Sequence, residues 1–255
     1  MKQLLIYEQP LVLNRQQHRH LRIKPVLDSF GFAGALNSVP LTTTEFAQAA
    51  RDYPIVFAGE GEAPDPAQAH SAGMPAALLG LSRDDNLFVE ADGRWAADAY
   101  VPAFLRRYPF VVANQDASPE SFTVCVDTPF LASDDDSLKL FEDSGEDAPA
   151  LKRALGFLAD YQAAVQRTQS FMQQLRESKL LVPKTIKVER PGSQVQTLSG
   201  FHVVDETRLQ KLSGKDLAKL SKTGALGLIY AHVMSLSNVQ RLSARLDARS
   251  SVPRH

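Results

Sequence analysis

The phrase Arg51-Asp-Tyr-Pro-Ile-Val-Phe-Ala58 returns fifty-five positions later as Arg106-Arg-Tyr-Pro-Phe-Val-Val-Ala113. Proline disfavours helical geometry in the residue before it and has no N–H to donate, whereas the residues after it here are β-branched or aromatic and suit a buried strand. Each phrase therefore marks a change from helix to strand, with Pro54 or Pro109 at the strand's first position, where a missing donor is tolerated. The stretches upstream agree. Thr42-Thr-Thr-Glu45 has the capping-box pattern and predicts a helix over residues 43–51, and the segment from Trp95 to Leu105 predicts a second short helix. Two copies are too few for a solenoid, so the repeat is architectural. A functional reading of the same residues has Tyr53, Tyr108 and the neighbouring arginines lining a ligand groove.

Strands are also predicted at residues 20–24, 76–79, 86–89 and 121–126, the last with alternating Phe122, Val124 and Val126. Residues 60–73, rich in Gly, Pro and Ala without periodicity, predict a long surface loop, and Asp92-Gly93 predicts a turn. Residues 132–149 carry two acidic runs and read as a partly ordered linker. Beyond it, Ala154, Leu158, Tyr161, Val165, Thr168, Met172 and Leu175 share one stripe of a long helix. The Ala, Tyr and Thr in that stripe favour packing against a sheet over coiled-coil pairing. Ile186, Val188, Val195 and Leu198 around Arg190-Pro-Gly-Ser193 predict a hairpin. Asp205 and Ser213 are candidate helix caps, Gly224 precedes a last helix with Leu226, Ile229, Val233, Leu236 and Val239 facing inward, and the chain is expected to fray from Arg241 onward. The fold class is thus α+β: a mixed, short-stranded sheet in the N-terminal half, then a long helix, a hairpin and a helical C-terminal half. The organisation is a sheet-and-helix lobe over 1–131, an acidic linker over 132–149 and a mainly helical lobe over 150–248, packed as one unit.

The charge is uneven along this plan. Residues 1–130 carry 10 basic and 15 acidic side chains, 131–150 carry 1 and 7, and 151–255 carry 17 and 7. The two halves are expected to attract each other. The opening residues lack the apolar centre of a signal peptide, and no run is long enough to span a bilayer, so a soluble cytoplasmic protein is expected. A lone Cys125 agrees with a reducing compartment.

Motifs for chemistry are few. Asp134, Asp135 and Asp136 lack the calcium-loop spacing, the histidines at 18, 20, 70, 202, 232 and 255 form no zinc pattern, and Cys125 has no base nearby in sequence. No metal or cofactor is expected. Neither nucleotide-binding glycine motif occurs, and the lysines at 211, 215, 219 and 222 lack interleaved aromatics, so no nucleic-acid partner is expected. The residues singled out for ligand binding are Tyr53, Trp95, Tyr100, Arg106, Arg107 and Tyr108, because guanidinium can grip a carboxylate while aromatics pack on the rest of a ligand. A second polar cluster, His202, Asp205 and His232, would serve an enzyme if the fold brought it together.

Pro54-Ile-Val-Phe57, Leu78-Leu-Gly-Leu81, Asn86-Leu-Phe-Val89, Trp95, Tyr100-Val-Pro-Ala-Phe-Leu-Arg-Arg-Tyr-Pro-Phe-Val-Val-Ala113, Gly200-Phe-His-Val-Val-Asp-Glu206 and the segment from Gly224 to Asn238 together resemble the bacterial SapC family. The resemblance runs from about Leu21 to Leu246. It implies a chain of about this length, associated by name with a bacterial surface layer and often encoded near outer-membrane receptors and flavin-dependent halogenase-like proteins. It carries no catalytic residue set onto this sequence. The expected function is that of an accessory or binding protein of envelope or nutrient-uptake systems, with a protein or small-molecule partner. An enzyme, or enzyme partner, modifying a peptide or small molecule is the first alternative, and a self-assembling surface-layer protein the second; a homo-oligomer is compatible with all three.

Overall fold

The computed structural model describes residues 6–24, 29–58, 73–113, 123–132, 137–188 and 196–251. In chain order the strands are β1 (Pro10–Val12), β2 (Arg22–Ile23), β3 (Ser38–Pro40), β4 (Ile55–Ala58), β5 (Pro75–Leu78), β6 (Phe110–Val112), β7 (Val124–Asp127), β8 (Leu131–Ala132), β9 (Leu138–Lys139), β10 (Leu181–Val188) and β11 (Gln196–Val204). The α-helices are α1 (Phe46–Ala49), α2 (Ala103–Arg106), α3 (Pro149–Glu177), α4 (Glu206–Gln210), α5 (Gly214–Lys222), α6 (Ala225–Ser235) and α7 (Val239–Ser251). The α+β class holds. The described strands form three antiparallel sheets: β10-β11-β4-β5-β3, β1-β7-β6 and β8-β2-β9.

Both Tyr-Pro phrases are helix-to-strand junctions. A 3-10 turn at Thr43–Glu45 runs into α1, and Glu45 closes the predicted box by accepting from the Thr42 N–H and hydroxyl, each at 2.8 Å. The chain then enters β4 directly after Pro54, and the second copy passes from α2 into β6 after Pro109. Each proline lacks a donor but uses its carbonyl: Pro54 O accepts from Leu78 N–H and Pro109 O from Asp127 N–H, both at 3.0 Å. A neighbouring strand is thereby tied to each junction.

The second helix is much shorter than predicted. Pro102 disfavours helical geometry at Val101, so α2 begins only at Ala103. Trp95 instead bridges Val89 across the Asp92-Gly93 turn, and Ala96 N–H donates to Phe88 O at 2.8 Å. Residues 86–89 consequently form one side of a small loop rather than a strand. Gly80, beside that loop, admits no side chain, since a Cβ there would lie 1.8 Å from Asp85 O.

Part of the acidic stretch is built into the structure. β9 pairs with β2, and Leu140 and Phe141 are buried. Asp134 to Asp136, almost all of the predicted 60–73 loop and the hairpin turn at 190–193 lie outside the described residues.

Two apolar clusters organise the molecule. The larger gathers β3, β4, β5, the aromatics around Trp95 and the C-terminal helices; the smaller gathers Ile23, Phe110, Val112, Val124, Val126, Leu140, Phe141, Leu151 and Leu158. α3 joins them, contributing Leu151 and Leu158 to the smaller and Phe171, Met172 and Leu175 to the larger. Its predicted stripe does face inward, and the helix packs on its own chain.

The C-terminus departs from expectation in two ways. The deeply buried positions of α6 and the turn after it are Ala225, Ile229, His232, Ser235 and Asn238, with Leu226, Val233 and Leu236 only half-buried. α7 also continues to Ser251 instead of fraying from Arg241. Arg241 donates to Arg51 O at 2.5 Å, Arg245 pairs with Asp98 at 2.8 Å, and Arg249 donates to Asn86 O at 2.9 Å and Val89 O at 2.6 Å. Spaced four apart, these three share one helix face and dock it on the acidic N-terminal part.

Candidate functional site

The first junction carries a continuous hydrogen-bonded chain. Trp95 Nε1–H donates to Tyr53 Oη at 3.2 Å, the Tyr53 hydroxyl donates to Tyr100 O, and the Tyr100 hydroxyl donates to Glu45 Oε1 at 3.1 Å while accepting from Arg106 Nη2–H at 2.8 Å. Tyr100 N–H meets Asp52 at 2.9 Å. Ala103 N–H donates to Glu45 at 2.6 Å, so one carboxylate closes the cap before α1 and anchors the start of α2. Burial pushes the Tyr53 hydroxyl far above its usual range, and burial with the nearby Glu45 charge pushes Tyr100 up to about 12. Both stay protonated as donors.

Tyr108 sits at a separate centre. Its ring stacks on Phe32 at 4.0 Å and meets Phe130 and Tyr7 at 4.8 and 5.3 Å. Its hydroxyl donates to the buried Asp127 carboxylate at 2.8 Å, which also accepts from Gln9 N–H at 2.7 Å and Glu8 N–H at 3.1 Å. Burial, then the adjoining Asp127, raises the Tyr108 pKa. Phe30 links the two centres, touching Trp95 at 5.6 Å and Phe32 at 6.1 Å.

The six selected residues thus belong to one connected region at different depths. Tyr53, Trp95 and Tyr108 are buried, Tyr100 and Arg107 are half-buried, and Arg106 is exposed. Arg106 lies over Tyr100 and Phe157 at 5.5 and 5.3 Å; Arg107 lies among Phe104, Tyr161 and Tyr7 at 4.3, 5.3 and 5.8 Å. Glu45, Asp127, Tyr7 and Phe157 were not singled out from the sequence. Glu45 was legible there only as a cap, and Tyr7 had no pattern to mark it.

The alternative trio is divided among structural tasks. His232 is fully buried; its Nε2 accepts from Val204 N–H at 3.0 Å, so Nδ1 carries the proton and donates to Ile55 O at 2.8 Å. Burial holds this imidazole down to about 4, hence neutral at pH 7. Asp205 caps α4 through Thr207 and Arg208 N–H and pairs with Arg208, while His202 faces Phe57 in the ladder. Among the described residues no hydrogen bond or ion pair joins these three side chains. Burial likewise raises the Cys125 thiol pKa.

Two further surfaces stand out. A depression of about 280 Å³ between α3, the turn after α5 and the start of α6 is lined by Thr43, Arg167, Ser170, Phe171, Gln174, Thr223, Ala225 and Leu228. On the outer face of α6, Tyr230 and Met234 are 50% and 73% exposed and sit one turn apart with Gly227, while His232 and Ser235 point inward. No group of three metal-ligating side chains occurs among the described residues, and none of their helices is long and apolar enough to cross a membrane. A family model described as SapC matches residues 13–242. No curated protein and no solved structure matches the chain.

Proposed function

The chain belongs to the SapC family, and from that premise we propose that it is an accessory protein acting by binding a protein partner, with the outer face of α6 as the contact. One observation carries this reading: α6 has no polar outer face. Ala225, Ile229, His232 and Ser235 form its buried side, whereas Tyr230 and Met234 face solvent with no charged residue of their own helix beside them. An amphipathic surface helix ordinarily turns charged and polar residues to solvent. Tyrosine and methionine suit a contact surface, one as a large amphipathic anchor and the other as an adaptable filler. The cytoplasmic side of an envelope or nutrient-uptake system is the proposed setting, in keeping with what the resemblance implies.

The test places a photo-crosslinking amino acid at position 230 in native cells and identifies the adducts by mass spectrometry. A discrete protein adduct, lost in Met234→Glu at unchanged melting temperature, is expected. Diffuse labelling, or an adduct indifferent to Met234→Glu, would remove the reading.

A further inference from the structure

We infer that Arg107, with Arg106 beside it, forms a binding site for an oxyanion, the carboxylate or phosphate group of a ligand. The site lies on the α2 and α3 side of the molecule and stands independently of the α6 contact. Rings from three parts of the chain surround the Arg107 guanidinium: Phe104 of α2, Tyr161 of α3 and Tyr7 of the N-terminal segment. A guanidinium has two faces for rings and an in-plane fork of N–H groups for hydrogen bonds, and the Tyr7 hydroxyl meets that fork. Yet Arg107 Nε is buried without a hydrogen-bond partner, and neither Arg106 nor Arg107 makes an ion pair with a described carboxylate. Arg241, Arg245 and Arg249, by contrast, each reach one.

The nearby buried carboxylates are committed elsewhere. Glu45 accepts from Thr42 N–H and hydroxyl, Tyr100 hydroxyl and Ala103 N–H. Asp127 accepts from Glu8 N–H, Gln9 N–H and the Tyr108 hydroxyl. Glu45 thus accepts from four uncharged donors and Asp127 from three, and neither forms an ion pair with Arg106 or Arg107. A partly desolvated guanidinium without a counter-charge is costly, and an oxyanion that presents two oxygens together is the group whose geometry complements its fork. Arg106 lies over Phe157, one turn of α3 from the Tyr161 ring beside Arg107: its Nε–H is fixed on Val101 O at 3.0 Å and Nη2 on Tyr100 Oη, while the remaining Nη1 has no described protein partner. The two guanidiniums thus offer one half-buried and one exposed cation on adjacent residues.

Full-length protein labelled with ¹⁵N at arginine is titrated with acetate, with inorganic phosphate, and with chloride as the ionic-strength control, following the Nε–Hε resonances. The Arg107 resonance should shift saturably with acetate or phosphate and not with chloride; the probe that saturates first identifies the anion class. Arg107→Lys, which keeps the charge and loses the fork, should weaken binding about tenfold or more, and Arg106→Gln by a smaller factor. Arg107 shifts that do not exceed those in chloride would overturn the proposal, as would unchanged affinity in a folded Arg107→Lys protein. Should that variant fail to fold, the wild-type titration alone decides between these outcomes.

Discussion

At the residue scale, His232 combines a backbone task with a pH dependence. Both ring nitrogens serve main-chain groups, Val204 N–H and Ile55 O, and burial lowers the pKa from 6.5 to about 4. A folded-state pKa below the unfolded one means that the unfolded chain binds the extra proton first. The stabilisation is therefore complete above pH 6.5 and declines as pH falls towards 4, by about 3 kcal/mol in all. Urea denaturation between pH 7 and pH 4.5 should show this slope, and His232→Phe should flatten it. At pH 7 the same substitution should cost roughly 2–4 kcal/mol, because it leaves two buried backbone groups unpaired. A slope unchanged in the variant would mean that other groups cause the acid sensitivity.

At the element scale, the α6 region holds the first junction from outside the sheet. Ser235 Oγ accepts from Ile55 N–H at 2.9 Å, and Asn238 Nδ2 donates to Ala50 O and Tyr53 O at 2.8 and 3.2 Å. Ser235→Ala orphans the amide at the start of β4, so hydrogen exchange at Ile55 should accelerate about tenfold or more, while Val126 in β7 keeps its protection. This contact also explains where sequence reasoning succeeded and failed. The Tyr-Pro junctions, the Thr42–Glu45 cap, the Asp205 and Ser213 caps and the α3 stripe were legible because each depends on residues within a few positions. Of the inward face of α6 only Ile229 was fully legible, since apolarity alone also selects the half-buried Leu226 and Val233, and the need for His232, Ser235 and Asn238 inside comes from backbone groups some 30 to 190 positions away. The same distance hid the docking of α7: Arg241, Arg245 and Arg249 read as solvated charge until their acceptors in the N-terminal part, backbone carbonyls for Arg241 and Arg249 and the Asp98 carboxylate for Arg245, are in view. Of the candidate site, the arginines and tyrosines were legible from the repeated phrase, but their depths were not.

At the scale of the whole molecule, α3 couples the two apolar clusters. Trp95, the single tryptophan, reports on the larger cluster, whereas Leu158 belongs to the smaller. Leu158→Ala should cost about 2–5 kcal/mol through lost burial and the cavity left behind. Because α3 also supplies Phe171, Met172 and Leu175 to the other cluster, tryptophan fluorescence and far-ultraviolet circular dichroism should still report one coincident transition. Separate midpoints for the two probes would show that the clusters unfold independently. The outer margin of the five-stranded sheet bears on assembly as well. β10 is its terminal strand and places Pro183 opposite His202, with Lys184 and Lys187 exposed along the same strand. An outer strand that lacks a donor and carries lysines is a poor template for sheet growth. Polymerisation along this margin is thus disfavoured, and copies of the chain that meet here would have to do so through side-chain faces instead of a shared backbone ladder.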